Sequence, residues 1–213
     1  AYFEALTRKG RATPTDDVAS LIANGEVDGK PIPDIEANGY YIIIATAGHD
    51  TTSASTAGGL LELIRSPEQL QKLKADPETL LSTTVDEAIR WVTPVRHFMR
   101  TATEDYSLRG KTIKAGESAV LWYPSANRDE EVFREPFKFK VDRTAEDSGA
   151  KQLAFGFGAH VCLGQHLARM EITSIYREIF SRITDIELAG EPQYIHSSFV
   201  GGLKSLPIRY RIK

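Results

Sequence analysis

The spacing of apolar and polar residues predicts helices in the first part of the chain. A short helix from Val18 to Asn24 is expected to end at Gly25, because glycine commonly follows the last helical turn. A long helix begins at Pro33-Asp34 and extends to about Arg65. Its first half is almost entirely apolar, so we expect that half to be buried on most sides.

Two shorter helices and then a run of strands are predicted downstream. The helices begin at Ser66-Pro67 and Asp76-Pro77, where proline fits the first helical turn. From Phe98 to Tyr123, short apolar runs alternate with turn residues, which predicts a small antiparallel sheet. A last helix is expected to end near Ile183, and the tail around Gly201-Gly202 is typical of a terminal hairpin.

Composition and charge narrow the class of protein. The chain has 213 residues, of which 41% are hydrophobic, enough to form a hydrophobic core. No repeat or linker divides it, so residues 1–213 are expected to belong to one domain. The net charge of −3 argues against a nucleic-acid-binding protein, and a single cysteine excludes an internal disulfide. The apolar run from Tyr40 to Ala47 is too short to span a bilayer, and no signal peptide is visible. We expect a cytoplasmic protein, and the missing initiator methionine suggests that the chain has lost its true start.

The stretch from Phe155 to Gly164 carries the most chemical information, because it contains the only cysteine. Cys162 lies where a glycine-rich loop enters a predicted helix, and the free N–H groups and positive dipole end there stabilise a thiolate. Gly156 and Gly158 can adopt backbone conformations closed to other residues, so the loop can approach a flat ligand. Loop N–H groups can also donate to the sulfur and tune its electron donation. A thiolate that is an axial ligand of haem iron needs these properties.

Two other interpretations of Cys162 stay open on the residues alone. A lone cysteine is commonly a small buried hydrophobic residue. It can also bind zinc, here together with His160 and His166, although this trio lacks a C-x-x-C pair and a fourth ligand at ordinary spacing. Neither interpretation accounts for the glycines.

The pattern Phe-Gly-x-Gly-x-His-x-Cys-x-Gly is complete between Phe155 and Gly164, and it resembles the haem-binding signature of the cytochrome P-450 family. The resemblance implies a mainly α fold with small antiparallel β-sheets, in which Cys162 is the metal ligand and holds the iron of haem b. It implies further haem-binding positions at Phe155, Gly156, Gly158, Gly164, Ala47 and Gly48. It also implies that Arg100 and His160 contact the haem propionates, for which a planar guanidinium is well suited.

The long helix contains an unusual polar run, Ala47 to Thr52, in its middle. On the residues alone this run indicates a helix kink or a buried polar contact. Together with the haem-binding signature, this polar run resembles the oxygen-activation motif of the family, with Asp50 and Thr51 as an acid–alcohol pair. Cleavage of dioxygen requires protons in a dry pocket, where a hydroxyl can orient water and a carboxylate can relay protons. Ala47 and Gly48 would leave space for dioxygen and substrate.

Glu87 and Arg90 lie three positions apart on the predicted third helix of this region. Taken alone, such a pair is commonly a surface ion pair. In the family, a Glu-x-x-Arg pair binds an arginine of a charged meander and braces the core near the haem. The resemblance therefore implies that Arg143 is the third partner and that the role of the group is structural.

The resemblance implies an enzyme that inserts one oxygen atom from dioxygen into a small apolar substrate. Electrons would come from NAD(P)H through a ferredoxin and its reductase. The stretches from Tyr123 to Phe133 and from Phe199 to Gly202 look closest to soluble bacterial hydroxylases of terpenes and similar hydrocarbons. By the same resemblance, the substrate pocket is lined by Ile43, Ala47, Val95, His97, Phe199 and Val200.

The match keeps the family motifs in order but covers only about the C-terminal half of the family's domain. We therefore expect an incomplete domain in which part of the haem pocket is missing. Two other functions stay open: a haem-binding or gas-binding module without turnover, and an inactive truncated relic.

Overall fold

The computed structural model describes residues 1–144, 147 and 152–213. Helices account for most of the regular structure, as predicted. Their bounds are α1 Tyr2–Ala12, α2 Val18–Ala23, α3 Asp34–Arg65, α4 Pro67–Ala75, α5 Pro77–Val92, α6 Tyr123–Ala126 and α7 Gln165–Arg182. The strands are β1 Glu26–Val27, β2 Lys30–Pro31, β3 His97–Thr101, β4 Tyr106–Leu108, β5 Lys111–Ile113, β6 Ser118–Trp122, β7 Ile183–Leu188, β8 Gln193–Tyr194, β9 Leu203–Ser205 and β10 Ile208–Ile212.

The chain divides into two compact units, unit 1 from Ala1 to Asp50 and unit 2 from Thr51 to Lys213. The boundary falls inside α3. Among the described residues, no helix combines the length and the apolarity that crossing a membrane requires.

Unit 1 is held together around the side chain of Arg11. Its Nε donates to the carbonyl of Ala23 at 2.9 Å, its Nη2 donates to the carbonyl of Ile32 at 2.9 Å, and its Nη1 contacts Asp34 at 2.6 Å. The start of α3 packs on this frame through buried Ala37 and Tyr41. One guanidinium thus ties α1, the end of α2 and the beginning of α3 together.

The prediction that the apolar half of α3 is buried on most sides is wrong for this chain. Ile42, Ile43 and Ile44 are exposed, Ile43 by 57%. Within unit 1, α3 packs through Ala37 and Tyr41 near its start, and the isoleucines follow Tyr41 along the helix, outside this buried cluster. Hydrophobic periodicity reports which residues are apolar, but it does not report whether a packing partner exists for each face.

The core of unit 2 is formed by the second half of α3 with α4, α5 and α7. Its fully buried members include Leu63, Leu73, Val85, Ala88, Ile172 and Tyr176. The predicted antiparallel pairing is confirmed, but in two separate two-stranded sheets: β3 pairs with β6, with His97 opposite Trp122, and β4 pairs with β5. Strand β3 follows α5 after four residues, and both elements carry residues of the candidate site.

The predicted hairpin in the tail is present: β8 and β9 pair antiparallel, and Gly201 and Gly202 lie in their connection, immediately before β9. It is not the last pairing of the chain, because β10 follows and pairs with β7. The two glycines also serve close approach. A Cβ atom on Gly202 would come within 2.8 Å of the Cβ of Ala54, and a Cβ atom on Gly201 would overlap the guanidinium of Arg96.

Candidate functional site

The glycine-rich loop folds back on itself immediately before α7. Gly156 and Gly158 have φ values of 74° and 76°, in the left-handed region that favours glycine. The amide of Cys162 donates to the carbonyl of Phe155 at 2.9 Å, which closes the loop. Gly164 is the N-cap of α7. The predicted arrangement of loop, cysteine and helix N-terminus is therefore confirmed.

The loop presents an unusual surface. Cys162 is exposed, and so are its apolar neighbours Phe157, at 83%, and Leu163, at 91%. His160 is also exposed and ends a short 3₁₀ turn that begins at Gly158. A thiol among exposed apolar side chains fits a large, flat, apolar ligand with a metal that binds sulfur.

The start of the loop is anchored in the interior of unit 2. Phe155 packs against the core, and the guanidinium of Arg169 lies 4.7 Å from the centre of its ring. The Nε of Arg169 donates to Asp86 of α5 at 2.8 Å. The loop is therefore fixed to both α7 and α5.

Asn127 is a buried anchor that the sequence analysis missed. Its Oδ1 accepts from the amide of Leu153 at 2.6 Å, and its Nδ2 donates to the hydroxyl of Thr93 at 2.8 Å. It is fully buried. Asn127 thus joins the segment before the loop to the end of α5, and only its place in a run of charged residues could have drawn attention to it.

Glu87, Arg90 and Arg143 form a buried ionic group in unit 2. The carboxylate of Glu87 accepts from the Nε of Arg90 at 2.7 Å, from its Nη2 at 2.8 Å, and from the Nε of Arg143 at 2.8 Å. The amide of Lys140 donates to the same carboxylate at 2.9 Å. The side chains are between 0% and 5% exposed. The expected contact of Arg143 with the pair is therefore present.

The guanidinium groups also bind backbone carbonyls of the irregular segment from residue 127 to residue 143. Arg90 donates to Asn127 at 2.7 Å and to Pro136 at 3.0 Å. Arg143 donates to Arg134 at 2.7 Å and to Lys138 at 2.8 Å. These contacts give partners to carbonyls that no helix or strand would satisfy.

Arg128 adds a third cation beside this group. Its Nη2 donates to the carbonyl of Trp91 at 2.8 Å, and its guanidinium lies 5.0 Å from the centre of the indole ring. Burial, followed by the positive charge of Arg90, lowers the pKa of Arg128, while Glu87 opposes that change. The aromatic face and the carbonyl offset part of the cost of burying another positive charge.

Four of the expected pocket residues come together in unit 2. Val95 forms an antiparallel bridge with Val200, and the rings of His97 and Phe199 make an edge contact at 5.7 Å. Arg100 lies exposed on β3 and donates to the carbonyl of Met99 at 2.8 Å. Ile43 and Ala47, the other two expected pocket residues, belong to unit 1.

The polar run of α3 lies at the boundary of the units. Asp50 is the last residue of unit 1 and Thr51 the first of unit 2. The Nδ1 of His49 lies 2.7 Å from Asp50 Oδ1, and both side chains are exposed, by 81% and 74%. The helix is continuous through this run. His49 and Asp50 therefore do not make the buried polar contact that the residues alone left open.

The structure does not support the alternative in which Cys162 binds zinc together with His160 and His166. In the ranges 1–144 and 152–213 and at residue 147, no three His, Cys, Asp or Glu side chains are grouped as metal ligands. A haem iron needs only one protein sulfur on this side, and Cys162 has the exposure and the loop geometry for that ligand.

Comparison with known proteins identifies the family. Residues 6–184 match the family model for cytochrome P-450, and the chain belongs to this family. It is 49% identical to cytochrome P-450-terp of a Pseudomonas species, over 98% of this chain and 48% of that protein. It is 36% identical to linalool 8-monooxygenase of Pseudomonas putida, over 97% of this chain and 50% of that protein.

The fold agrees with a solved member of the family. CYP108D1 from Novosphingobium aromaticivorans matches all of this chain with a TM-score of 0.92 and 51% identity, over 50% of its own length. The mainly α fold with small antiparallel sheets is thereby confirmed. The chain spans about half the length of the relatives that it matches.

We predict that removal of the Glu87 carboxylate destabilises the fold. Glu87→Ala should leave the guanidinium groups of Arg90 and Arg143 buried without a counter-charge, at a cost of about 3–5 kcal/mol in the free energy of unfolding. Urea unfolding of the purified chain measures this loss. The control is Glu178→Ala, which removes the exposed pair with Arg182 on α7 and should cost less than about 1 kcal/mol. Equal, small losses in both variants would show that Glu87 does not brace the fold.

Proposed function

We propose that this chain supplies the thiolate side of a haem monooxygenase. The observation that carries the proposal is the exposed Cys162 at the end of a glycine-bent loop, among exposed apolar side chains and before α7, in a member of the cytochrome P-450 family. When bound, haem supplies the reductive activation of dioxygen and the transfer of one oxygen atom to a C–H bond.

Cys162 is proposed as the iron ligand, and α7 supports the thiolate form. The helix has 18 residues, and its N-cap Gly164 lies two positions after the cysteine. The N-terminal end of such a helix favours negative charge nearby. The glycines of the loop allow close approach of a flat ligand, and the exposed apolar side chains of the loop offer that ligand an apolar surface.

The remaining contacts to the cofactor follow from the resemblance. Arg100 and His160, both exposed in unit 2, are proposed to bind the propionates through charge-assisted hydrogen bonds. Phe155, Gly156, Gly158 and Gly164 would hold the haem on the cysteine side. Ala47 and Gly48 are proposed to leave room for dioxygen, since neither carries a large side chain.

Asp50 and Thr51 are proposed to deliver protons. A threonine hydroxyl can donate a hydrogen bond and accept a proton from water in the same position, so it can pass protons without moving. A carboxylate one residue away can exchange protons with solvent.

The proposed substrate is a small apolar molecule such as a terpene. The names of two relatives, cytochrome P-450-terp and linalool 8-monooxygenase, support this class. The contact between His97 and Phe199 and the bridge between Val95 and Val200 offer apolar and aromatic surface for such a molecule. Dioxygen is the co-substrate, and we propose NAD(P)H, a ferredoxin and its reductase as the electron source, in the cytoplasm.

The first prediction tests the iron ligand. Cys162→Ser should abolish the carbon monoxide difference spectrum that is characteristic of a haem thiolate, because a serine hydroxyl is a poor iron ligand. Cys162→His should retain haem through an imidazole but lose the same spectral signature. Persistence of the thiolate spectrum in the serine variant would contradict the assignment.

The second prediction concerns proton delivery. In a complete enzyme, Thr51→Ala should retain haem and substrate binding but divert electrons to hydrogen peroxide and water, with coupled product falling on the order of 100-fold. The ratio of product to NAD(P)H consumed measures this coupling. Asp50→Asn should slow product formation more than it weakens substrate affinity.

Thr46 offers a matched control, because it is a threonine on the same helix, five positions before Thr51, and its hydroxyl donates to the carbonyl of Ile42 at 2.8 Å. Thr46→Ala should leave coupling unchanged. An unchanged ratio in Thr51→Ala would remove the proposed role of the hydroxyl.

The third prediction separates a monooxygenase from a haem-binding or gas-binding module and from an inactive relic. The chain of 213 residues should retain haem weakly and produce little coupled product, because haem requires protein on both faces and a dry site. A hybrid in which the N-terminal half of cytochrome P-450-terp precedes this chain should restore both properties. Haem content and product yield are compared for the two proteins. A hybrid with stable haem and no product would favour the binding module, and a hybrid without haem the relic; equal coupled turnover by the chain alone would disprove the half-domain interpretation.

A further inference from the structure

The three helices that carry the family motifs converge at one residue, Gly59 of α3. A Cβ atom built on Gly59 would overlap the Cβ atom of Ala88 in α5 and the hydroxyl of Tyr176 in α7. Real Cβ atoms do not approach other heavy atoms this closely. A larger residue at position 59 would therefore have to push α3 away from both neighbouring helices.

The hydroxyl of Tyr176 also fixes the register of α3. Tyr176 is fully buried, and its hydroxyl donates to the carbonyl of Thr56 at 2.9 Å. The hydroxyl thus contacts α3 at the carbonyl of Thr56, three positions before Gly59. Sliding or rotation of α3 along α7 would break this contact.

Each of the three helices carries one family motif or begins just after it. Thr51 precedes Gly59 on α3 by eight positions, about 12 Å along a helix axis. Ala88 stands between Glu87 and Arg90 on α5. α7 begins three residues after Cys162. The distance between α3 and its neighbours at Gly59 therefore affects where Thr51 lies relative to the cysteine loop, within unit 2.

We propose that Gly59 is a positioning residue for the reaction: by lacking a side chain it lets α3 lie directly on α5 and α7, and so determines the place of Thr51. This inference rests on the proposed function, which gives Thr51 its part in proton delivery. Gly58 supports the same approach, because a Cβ atom there would lie 2.5 Å from Val92 of α5. Displacements of about 1 Å at a reacting group can cost on the order of 100-fold in rate.

The test is Gly59→Ala in the haem-loaded hybrid in which the N-terminal half of cytochrome P-450-terp precedes this chain. We expect a melting temperature lower by about 5 °C or more, because the helices are overpacked. The thiolate carbon monoxide spectrum should remain, while the ratio of product to NAD(P)H falls at least about ten-fold. A crystal structure of the variant should show the backbone at Thr51 displaced from its place relative to Cys162, a readout that does not depend on activity.

Two controls separate positioning from general destabilisation. Gly39→Ala makes the same substitution on the same helix where a Cβ atom meets nothing within 4 Å, and it should change neither coupling nor the place of Thr51. Leu73→Ala removes a fully buried side chain of α4 and should lower the melting temperature without lowering coupling in the folded, haem-loaded fraction.

A rescue experiment decides the case in which Gly59→Ala fails to fold. Ala88→Gly and Tyr176→Phe together remove both atoms that the new methyl group would overlap. Adding them to Gly59→Ala should restore coupling toward that of the Ala88→Gly/Tyr176→Phe double variant. A folded triple variant with Thr51 in its original place but coupling still lost would overturn the inference, as would normal coupling in Gly59→Ala. Absence of a thiolate spectrum in the unmutated hybrid would instead refute the proposed function.

Discussion

The arrangement of unit 2 depends on the ion pairs and hydrogen bonds made by the buried carboxylate of Glu87. A fully buried carboxylate is costly unless it is paired and hydrogen-bonded, and here two guanidinium groups and one backbone amide satisfy it. The two cations exceed the one anion, and backbone carbonyls of residues 127–143 bind the surplus donors. The ionic group therefore orders a segment that has little regular structure of its own. Its main effect is to fix the position of this segment relative to α5, since buried ion pairs contribute little net stability compared with apolar packing.

That geometry is transmitted to the cysteine loop through a few polar contacts. Arg90 binds the carbonyl of Asn127, and the side chain of Asn127 binds the amide of Leu153 just before the loop. On the other side of the loop, Arg169 joins α7 to α5 and covers the ring of Phe155. The loop is thus bent and anchored by residues of unit 2 at both ends. A ligand that binds at Cys162 meets a preformed surface, so little binding energy is spent on ordering the backbone.

The sequence predicted local features well and long-range partners poorly. Helix ends follow from proline, glycine and polarity, which act over a few residues, and the pairing of Glu87 with Arg90 follows from their spacing on α5. Arg143 lies far along the chain from Glu87, and only the family resemblance indicated it. Nothing local indicated the anchoring role of Asn127. The prediction that the apolar half of α3 is buried failed for the same reason: the pattern of residues specifies an apolar face, whereas its burial depends on what packs against it.

The glycines show why composition alone does not reveal function. Gly156 and Gly158 have positive φ values and bend the cysteine loop, so they act through the backbone. Gly59 and Gly202 act through the absence of a side chain, because other elements approach them too closely for a Cβ atom. The sequence alone does not separate the two roles, since a glycine letter shows neither its backbone angle nor what packs against it. In this protein the first kind shapes the ligand loop and the second kind sets the distances between the elements around it. Close packing makes the second kind as restrictive as the first, because a helix displaced by one methyl group moves every residue that it carries.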